Sequence, residues 1–504
     1  MPTALKYVGN KGRQVSLDNI APHYLYSVEQ TRQLDRLAIH QFGIAGIELM
    51  RRAGSACFEI VQQQWHSSRH LTVFCGAGNN AGDGYVIARL ALAKAWTVTV
   101  YSLIEPGKLK HDAKTAFEDF AAAGGDVLQF HPDIELTDTL VVDALLGTGL
   151  DRAVTGDFKT AVNLINRAQC PVVAVDIPSG LQGDSGSVMG CAVKADVTVT
   201  FIARKAGLFT ADAAEYCGRI YYASLNIPHA VFDGVTPFAR LIAPPALAAR
   251  ARTSHKGQHG HVLLIGGDCG YMGAIRLAAE AALRTGAGLV SVATRADHSH
   301  LINAGRFEIM SHGVEQAEEL TPLLEKATVI VIGPGLGLSD WAKSLWQQAR
   351  LSGRPMVVDA DALNLLSQNP HQNNKWILTP HPGEAARLLV TDTNTIQHSR
   401  FEAASRLFQR YAGVCVLKGA GSLIASEHGV AVNTTGNPGM ASGGMGDVLA
   451  GMIGALLGQG LSLIDAAEIA VYTHGLAADR AAQEGGERGL LAGDLLPHIR
   501  TLLN

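Results

Sequence analysis

Leu71-Thr72-Val73-Phe74-Cys75-Gly76-Ala77-Gly78-Asn79-Asn80-Ala81-Gly82-Asp83-Gly84 decides how this chain is read. The β-branched run predicts a short strand, the Gly/Asn stretch a loop, and the residues that follow (85–95) a helix. The alternation recurs. Apolar runs at 96–103, 140–143, 172–176 and 197–202 predict further strands. Strands alternating with helices imply a parallel sheet covered on both faces, and near-continuous apolar strands imply burial on both sides. Residues 27–64 carry a helical apolar period and precede the series.

The pattern loosens between 228 and 253, where Ile242-Ala243-Pro244-Pro245 reads as a linker. A second series begins at 261–265 and continues with strands at 289–293, 329–332, 356–359 and 414–417. Helices at 274–285 and 447–457 lie between and after them, and 495–503 reads as helical. The expected fold class is α/β, with two domains and a boundary near 235–250.

Composition agrees. A chain of 504 residues is long for one domain, and 47% hydrophobic against 17% charged describes large buried cores. The 55 glycines are not periodic, which excludes a collagen-like repeat. A net charge of −4 argues against a nucleic-acid binder. Seven cysteines without a Cys-x-x-Cys pair argue against zinc or a disulfide framework and fit a reducing cytoplasm. Residues 1–30 hold no apolar core of a signal peptide, and no 18-residue apolar run predicts a membrane span.

The chemistry-bearing residues cluster where strands end. In the first series Asn79, Asn80 and Asp83 follow one strand. Asp143 ends another ahead of Gly147-Thr148-Gly149-Leu150, and Asp176 ends a third inside Asp176-Ile177-Pro178-Ser179-Gly180. Ligands bind at the carboxyl edge of a parallel sheet, so Asn80, Asp143, Asp176 and Ser179 are expected to converge there. Amide, carboxylate and hydroxyl oxygens without His or Cys suit a hard cation. A well-made turn with Asx hydrogen bonds, or a helix cap at Ser179, is the plainer alternative. Lys194 and Lys205 read as solvated surface charges.

In the second series Gly266-Gly267-Asp268, Gly333-Pro334-Gly335-Leu336-Gly337, Asp359-Ala360-Asp361, Thr379-Pro380-His381-Pro382-Gly383-Glu384 and Lys418-Gly419-Ala420-Gly421-Ser422 fall at successive strand ends. Gly443-Gly444-Met445-Gly446-Asp447 runs into a helix. Glycines admit close approach of a ligand to the backbone, and the first N–H groups of a helix face an anion. A carboxylate at that point has a reason to be there if it moves a proton. Together they suggest an anion hole beside an acid/base, the layout for work on a phosphoryl group. The alternative is Asp447 as a helix cap. His381 is a candidate to position a second ligand, or else a buried histidine with its partners satisfied.

These motifs resemble the bifunctional NAD(P)H-hydrate repair enzymes, which join an epimerase to a dehydratase. Asn79-Asn80-Ala81-Gly82-Asp83-Gly84, Gly147-Thr148-Gly149 and Asp176-Ile177-Pro178-Ser179-Gly180 match the epimerase pattern. Thr379-Pro380-His381-Pro382-Gly383-Glu384, Lys418-Gly419-Ala420-Gly421 and Gly443-Gly444-Met445-Gly446-Asp447 match the dehydratase pattern. The resemblance implies an N-terminal Rossmann-like three-layer sandwich over 1–238 and a C-terminal ribokinase-like three-layer sandwich over 239–504. It implies potassium at Asn80, Asp143 and Ser179. Hydrated NADH or NADPH would be held by Asn79, Asn80, Ala81, Gly82, Asp83, Gly147, Thr148, Gly149, Leu150, Asp151, Arg152, Ala153 and Asp176. Asp143 and Asp176 are the candidates for proton transfer in epimerisation.

In the second half it implies hydrate contacts from Ala274, Gly335, Gly337, His381 and Asp447, with Asp447 as base. An adenine nucleotide, ADP or ATP with Mg2+, would meet Lys418, Gly419, Ala420, Gly421, Ser422 and Gly446, and the bacterial-type fusion leans to ADP. A cytoplasmic homo-oligomer is expected. The rivals are a small-molecule kinase with an accessory nucleotide-binding domain, and a binding module without turnover.

Overall fold

Strand Leu140–Ala144 is buried at every position, and its alternate side chains enter two different cores. Leu140 and Val142 pack with the helices Gly46–Gln64, Asn79–Ala93 and His111–Ala122 on one face. Val141 packs with helix Gly156–Arg167 on the other. Period-two alternation with apolar residues at both phases gives this result: a sheet with helices above and below. The structure, a computed structural model, describes residues 23–244 and 246–504. Pro245 of the expected linker and residues 1–22 of the N-terminal stretch lie outside the described residues. The chain forms two compact units, one through Arg240 and one from Leu241.

The first unit holds a seven-stranded sheet in the order Val127–Gln129, Thr97–Ser102, His70–Cys75, Leu140–Ala144, Val172–Val175, Val197–Phe201, Arg219–Ala223, with neighbours parallel. Strand order reverses between His70–Cys75 and Leu140–Ala144, where Phe74 pairs with Asp143 and Cys75 with Ala144. A crevice opens at the carboxyl ends of such a pair, because the connections leave in opposite directions. The expected helices over 27–64 are two, Val28–His40 and Gly46–Gln64; Ser27 starts the first with a capping box to Gln30.

The second unit repeats the plan. Its parallel strands run Ile309–Gly313, Leu289–Thr294, His261–Ile265, Val329–Ile332, Met356–Val358, Trp376–Leu378, Val414–Leu417. An antiparallel extension follows through Leu423–Ser426 and Gly429–Val432. Order reverses between His261–Ile265 and Val329–Ile332. Val262, Leu264, Val329 and Val331 share one core with the helices Met272–Thr285, Met445–Gly458, Leu463–Gly485 and Leu495–Leu502. Helices Met272–Thr285 and Met445–Gly458 pack backbone to backbone: a Cβ on Gly451 would lie 2.0 Å from the Ala278 carbonyl oxygen.

One expected boundary shifts. The helix read at 85–95 begins at Asn79, with extended Gly78 before it. Gly82 and Gly84 are therefore helical. They are glycine because a Cβ would strike Met50 Sδ at 2.5 Å and the Ala144 Cβ at 2.7 Å respectively. Two of the glycines that read as loop serve helix packing instead.

Candidate active sites

In the first unit the switch point brings Asn80, Gly147, Asp143 and Ser179 together. Gly147 packs against the Asn80 side chain, where a Cβ would meet Asn80 Cβ at 3.4 Å. Asp143 is fully buried. Its Oδ2 accepts from the Ser179 amide at 2.8 Å, and its Oδ1 accepts from Ser179 Oγ at 2.6 Å and the Leu145 amide at 3.3 Å. Burial pushes the Asp143 carboxyl up to about 6 against the pull of those donors. Ser179 Oγ also accepts from the Leu146 amide at 2.8 Å, so it fastens the strand end to the loop that carries Gly147.

Asn80 is buried, and its Nδ2 has no hydrogen-bond partner. A buried donor without an acceptor is costly. With the amide turned over, a carbonyl oxygen takes that place. Among the described residues no group of three or more His, Cys, Asp or Glu side chains could hold a metal ion.

Asp176 belongs to a second cluster. Its Oδ1 accepts from Thr200 Oγ1 at 3.1 Å, from the Phe201 amide at 3.2 Å and from the Lys205 ammonium. Lys205 is 1% exposed, contrary to its reading as a surface charge, whereas exposed Lys194 does pair at the surface with Glu215. Burial and the neighbouring Asp176 and Asp35 push Asp83 well above the carboxylate range. Burial pushes Asp35 up to about 6, with Lys205 opposing and Asp176 reinforcing. Asp35, on helix Val28–His40, carried no motif and was invisible in the sequence. Asn79 and Ala81 stand in the first turn of helix Asn79–Ala93. Thr148 and Leu150 are half-buried, while Gly149, Asp151, Arg152 and Ala153 are exposed.

In the second unit Asp447 lies in the first turn of helix Met445–Gly458, whose N-cap Gly444 is left-handed at φ 89°. Burial pushes its carboxyl up to about 7; Asp359 and Asp361 reinforce this and Lys418 opposes it. Lys418 Nζ lies 2.9 Å from Asp359 Oδ1 and 3.9 Å from Glu384 Oε2. Burial pulls the Lys418 ammonium down, yet Asp359, Glu384 and Asp447 outweigh it and hold it above the ordinary lysine value. Lys418 is thus engaged in an ion-pair network that touches Gly446.

His381 is the N-cap of helix Pro382–Leu389. Its Nδ1 accepts from the Gly383 amide at 3.0 Å and the Glu384 amide at 3.4 Å, which places its proton on Nε2. Burial first, then Lys418 and Arg387, keep it neutral by lowering its pKa. Burial pushes Glu384 up to about 7 despite Lys418.

Gly335 and Ala274 meet: a Cβ on Gly335 would lie 3.2 Å from Ala274 Cβ. Gly337 donates its amide to Asp361 Oδ2 at 2.8 Å and backs onto Asp268, which Arg295 holds at 2.7 Å. Ser422 Oγ donates to the Gly419 carbonyl at 3.0 Å. Buried Arg400 reaches the carbonyls of Leu417, Lys418 and Gly421, and so shapes the 418–422 turn from behind; Ala420 stands exposed on it. Motif reading passed over Arg400 and gave Asp359 and Glu384, though quoted within motifs, no role of their own. Their signal was position, each at or near a strand end or under a glycine turn.

The NAD(P)H-hydrate dehydratase family matches residues 262–500, and the YjeF-related protein N-terminus family matches 46–207. The bifunctional NAD(P)H-hydrate repair enzyme Nnr of Coxiella burnetii is 50% identical over 95% of this chain and 99% of its own. That of Escherichia coli is 44% identical over 96% and 94%. A solved Bacillus subtilis ADP/ATP-dependent NAD(P)H-hydrate dehydratase, co-crystallised with ATP/Mg2+, is 31% identical over 51% of this chain and 93% of that one, with a TM-score of 0.46. Two switch-point sites, each inside its matching family, and full-length relatives at these identities lead to one conclusion: the chain belongs to the bifunctional NAD(P)H-hydrate repair enzymes.

Proposed function

We propose that the two units act in sequence on hydrated NADH and NADPH, the first interconverting the C6 epimers and the second removing water from the S epimer. The observation that carries the second step is Asp447 in the first turn of a helix that opens with glycine. The N–H groups of the opening turn favour negative charge, and the carboxylate beside them has its pKa near neutrality, where a general base works well.

Hydroxide leaves poorly. Asp447 therefore takes the proton from the C6 hydroxyl as its oxygen attacks the terminal phosphoryl group of the nucleotide. The amides of 443–446 stabilise the charge on that group. Phosphate then departs with the C6–O electron pair, the ring nitrogen supplies electrons, and loss of a C5 proton restores the dihydropyridine. Lys418 holds Asp359 and Glu384 beside the Gly446 backbone and offsets their charge. The Gly335 and Gly337 turn, with Ala274 and His381, lines the hydrate side. The nucleotide lies along 418–422. We assign ADP as donor, giving AMP and phosphate, on family likeness, with Mg2+ neutralising its phosphates.

In the first unit hydrate lies along 79–83, 147–153 and Asp176, and Asn80, Asp143 and Ser179 would hold potassium. The ion supplies a fixed positive charge for substrate phosphates. The absence of any disulfide among the seven cysteines supports a cytoplasmic setting. The test follows dihydronicotinamide absorbance on a mixed-epimer NADH hydrate, with ADP or ATP added separately. Recovery beyond the S fraction, faster than spontaneous epimerisation, is expected with ADP. No recovery with either nucleotide overturns the reading.

A further inference from the structure

Every hydrogen bond that the Asp176 carboxylate receives among the described residues falls on Oδ1. Oδ2 receives none, and the side chain keeps 18% of its surface exposed. The carboxylate stands just past strand Val172–Val175 with its backbone left-handed at φ 65°, an uncommon conformation for a non-glycine residue. Lys205 commits its protons inside the protein, to Asp176 Oδ1, to Thr200 Oγ1 at 3.1 Å and to the Phe201 carbonyl at 3.1 Å. It has none left for a ligand. A lysine buried this completely is expensive unless its charge is used.

We infer that Lys205 is the positioning residue of the epimerisation step, holding Asp176 by Oδ1 so that the charged Oδ2 meets the C6 hydroxyl of the hydrate. This rests on the epimerase reading above and names the group that moves the proton. Asp83 and Asp35 are the other carboxylates facing the pair, with Arg36 near Asp35. Burial and Asp176 push both carboxyls up, and Lys205 opposes this at each.

The step balances without a co-reactant. Oδ2 takes the hydroxyl proton, and the O–H electron pair becomes the second bond of a C6 carbonyl. The C6–N1 pair moves onto N1, where conjugation with the ring double bond and the carboxamide spreads it. Rotation about C5–C6 turns the other carbonyl face to N1. N1 closes the ring with the same pair, and the proton returns from Oδ2 to oxygen.

The test uses the full chain and R-enriched NADH hydrate without nucleotide, with the epimers separated by chromatography, and then assays dehydration of the S hydrate on the same sample. Lys205→Met is expected to lower epimerisation kcat about a hundredfold or more and to leave KM within about threefold. Lys205→Arg should restore most of kcat, and dehydration should stay normal throughout.

Wild-type kcat in Lys205→Met overturns the inference, as does an arginine variant no better than methionine. If the methionine variant does not fold, Thr200→Val decides. It removes a donor to Asp176 Oδ1 while keeping the strand's shape, and a wild-type kcat there overturns the inference. A wild-type chain that never epimerises overturns the epimerase reading itself.

Discussion

Lys418 Nζ sits 2.9 Å from Asp359 Oδ1, directly beneath a glycine: a Cβ on Gly446 would approach that nitrogen to 3.2 Å. The glycine brings the backbone of the turn before Asp447 against a partly buried cation, and the cation is tied to a carboxylate from another strand end. Thr379 Oγ1 donates to the same Asp359 Oδ1 at 2.7 Å. Asp359 and Lys418, which face Asp447, are thus tied to each other and to Thr379.

Asp447→Asn removes the base and keeps the shape. Dehydration is expected to fall by about 10²–10⁴-fold, while epimerisation in the other unit stays at the wild-type rate. Both are read on one preparation, by dihydronicotinamide absorbance and by epimer separation. Dehydration at the normal rate shows that Asp447 is not the base.

Dehydration should depend on pH through the same group. Asp447 is pushed up to about 7 by burial and by Asp359 and Asp361. A base must be deprotonated, so kcat is expected to rise as pH climbs through about 7 and to fall below it. Asp361→Asn removes one repelling charge, favours the ionised form and should shift the limb to lower pH. A limb that stays put, or moves up, contradicts this account of the shift.

Asn80→Leu tests the cation site. It fills the space of the amide but offers no oxygen. The wild-type chain should epimerise faster in potassium chloride than in an equal concentration of choline chloride, and the variant should lose that difference. Equal response to potassium in both proteins removes Asn80 from the site.

Much of this was legible in the sequence. Strand–helix alternation gave both sheets, since runs such as Val329–Ile332 are apolar at each position and have no alternative to burial. Glycine and polar residues at strand ends located the two crevices. Lys205 was misread because the carboxylate it pairs with, Asp176, lies far back in the chain, and a contact at that separation leaves no local pattern. Asp35 was missed for the same reason, and Gly82 and Gly84 read as loop because their purpose is contact with Met50 and Ala144.

Gly451→Ala is expected to destabilise the second unit by about 1–3 kcal/mol or more, because the added carbon would sit 2.0 Å from the Ala278 carbonyl oxygen. Differential scanning calorimetry of the full chain should show one transition lowered. A variant with the wild-type thermogram would mean that the two helices separate at little cost.

Helix Met445–Gly458 also packs on strand His261–Ile265, which precedes it by most of the unit's length. On the ribosome, the early strand and helix Met272–Thr285 emerge long before their covering partner. A transcript cut short ahead of Met445 yields a chain with the Ala278 face bare and no Asp447. Such a product keeps every residue of the first unit and leaves the Ala278 face of the second without its covering helix.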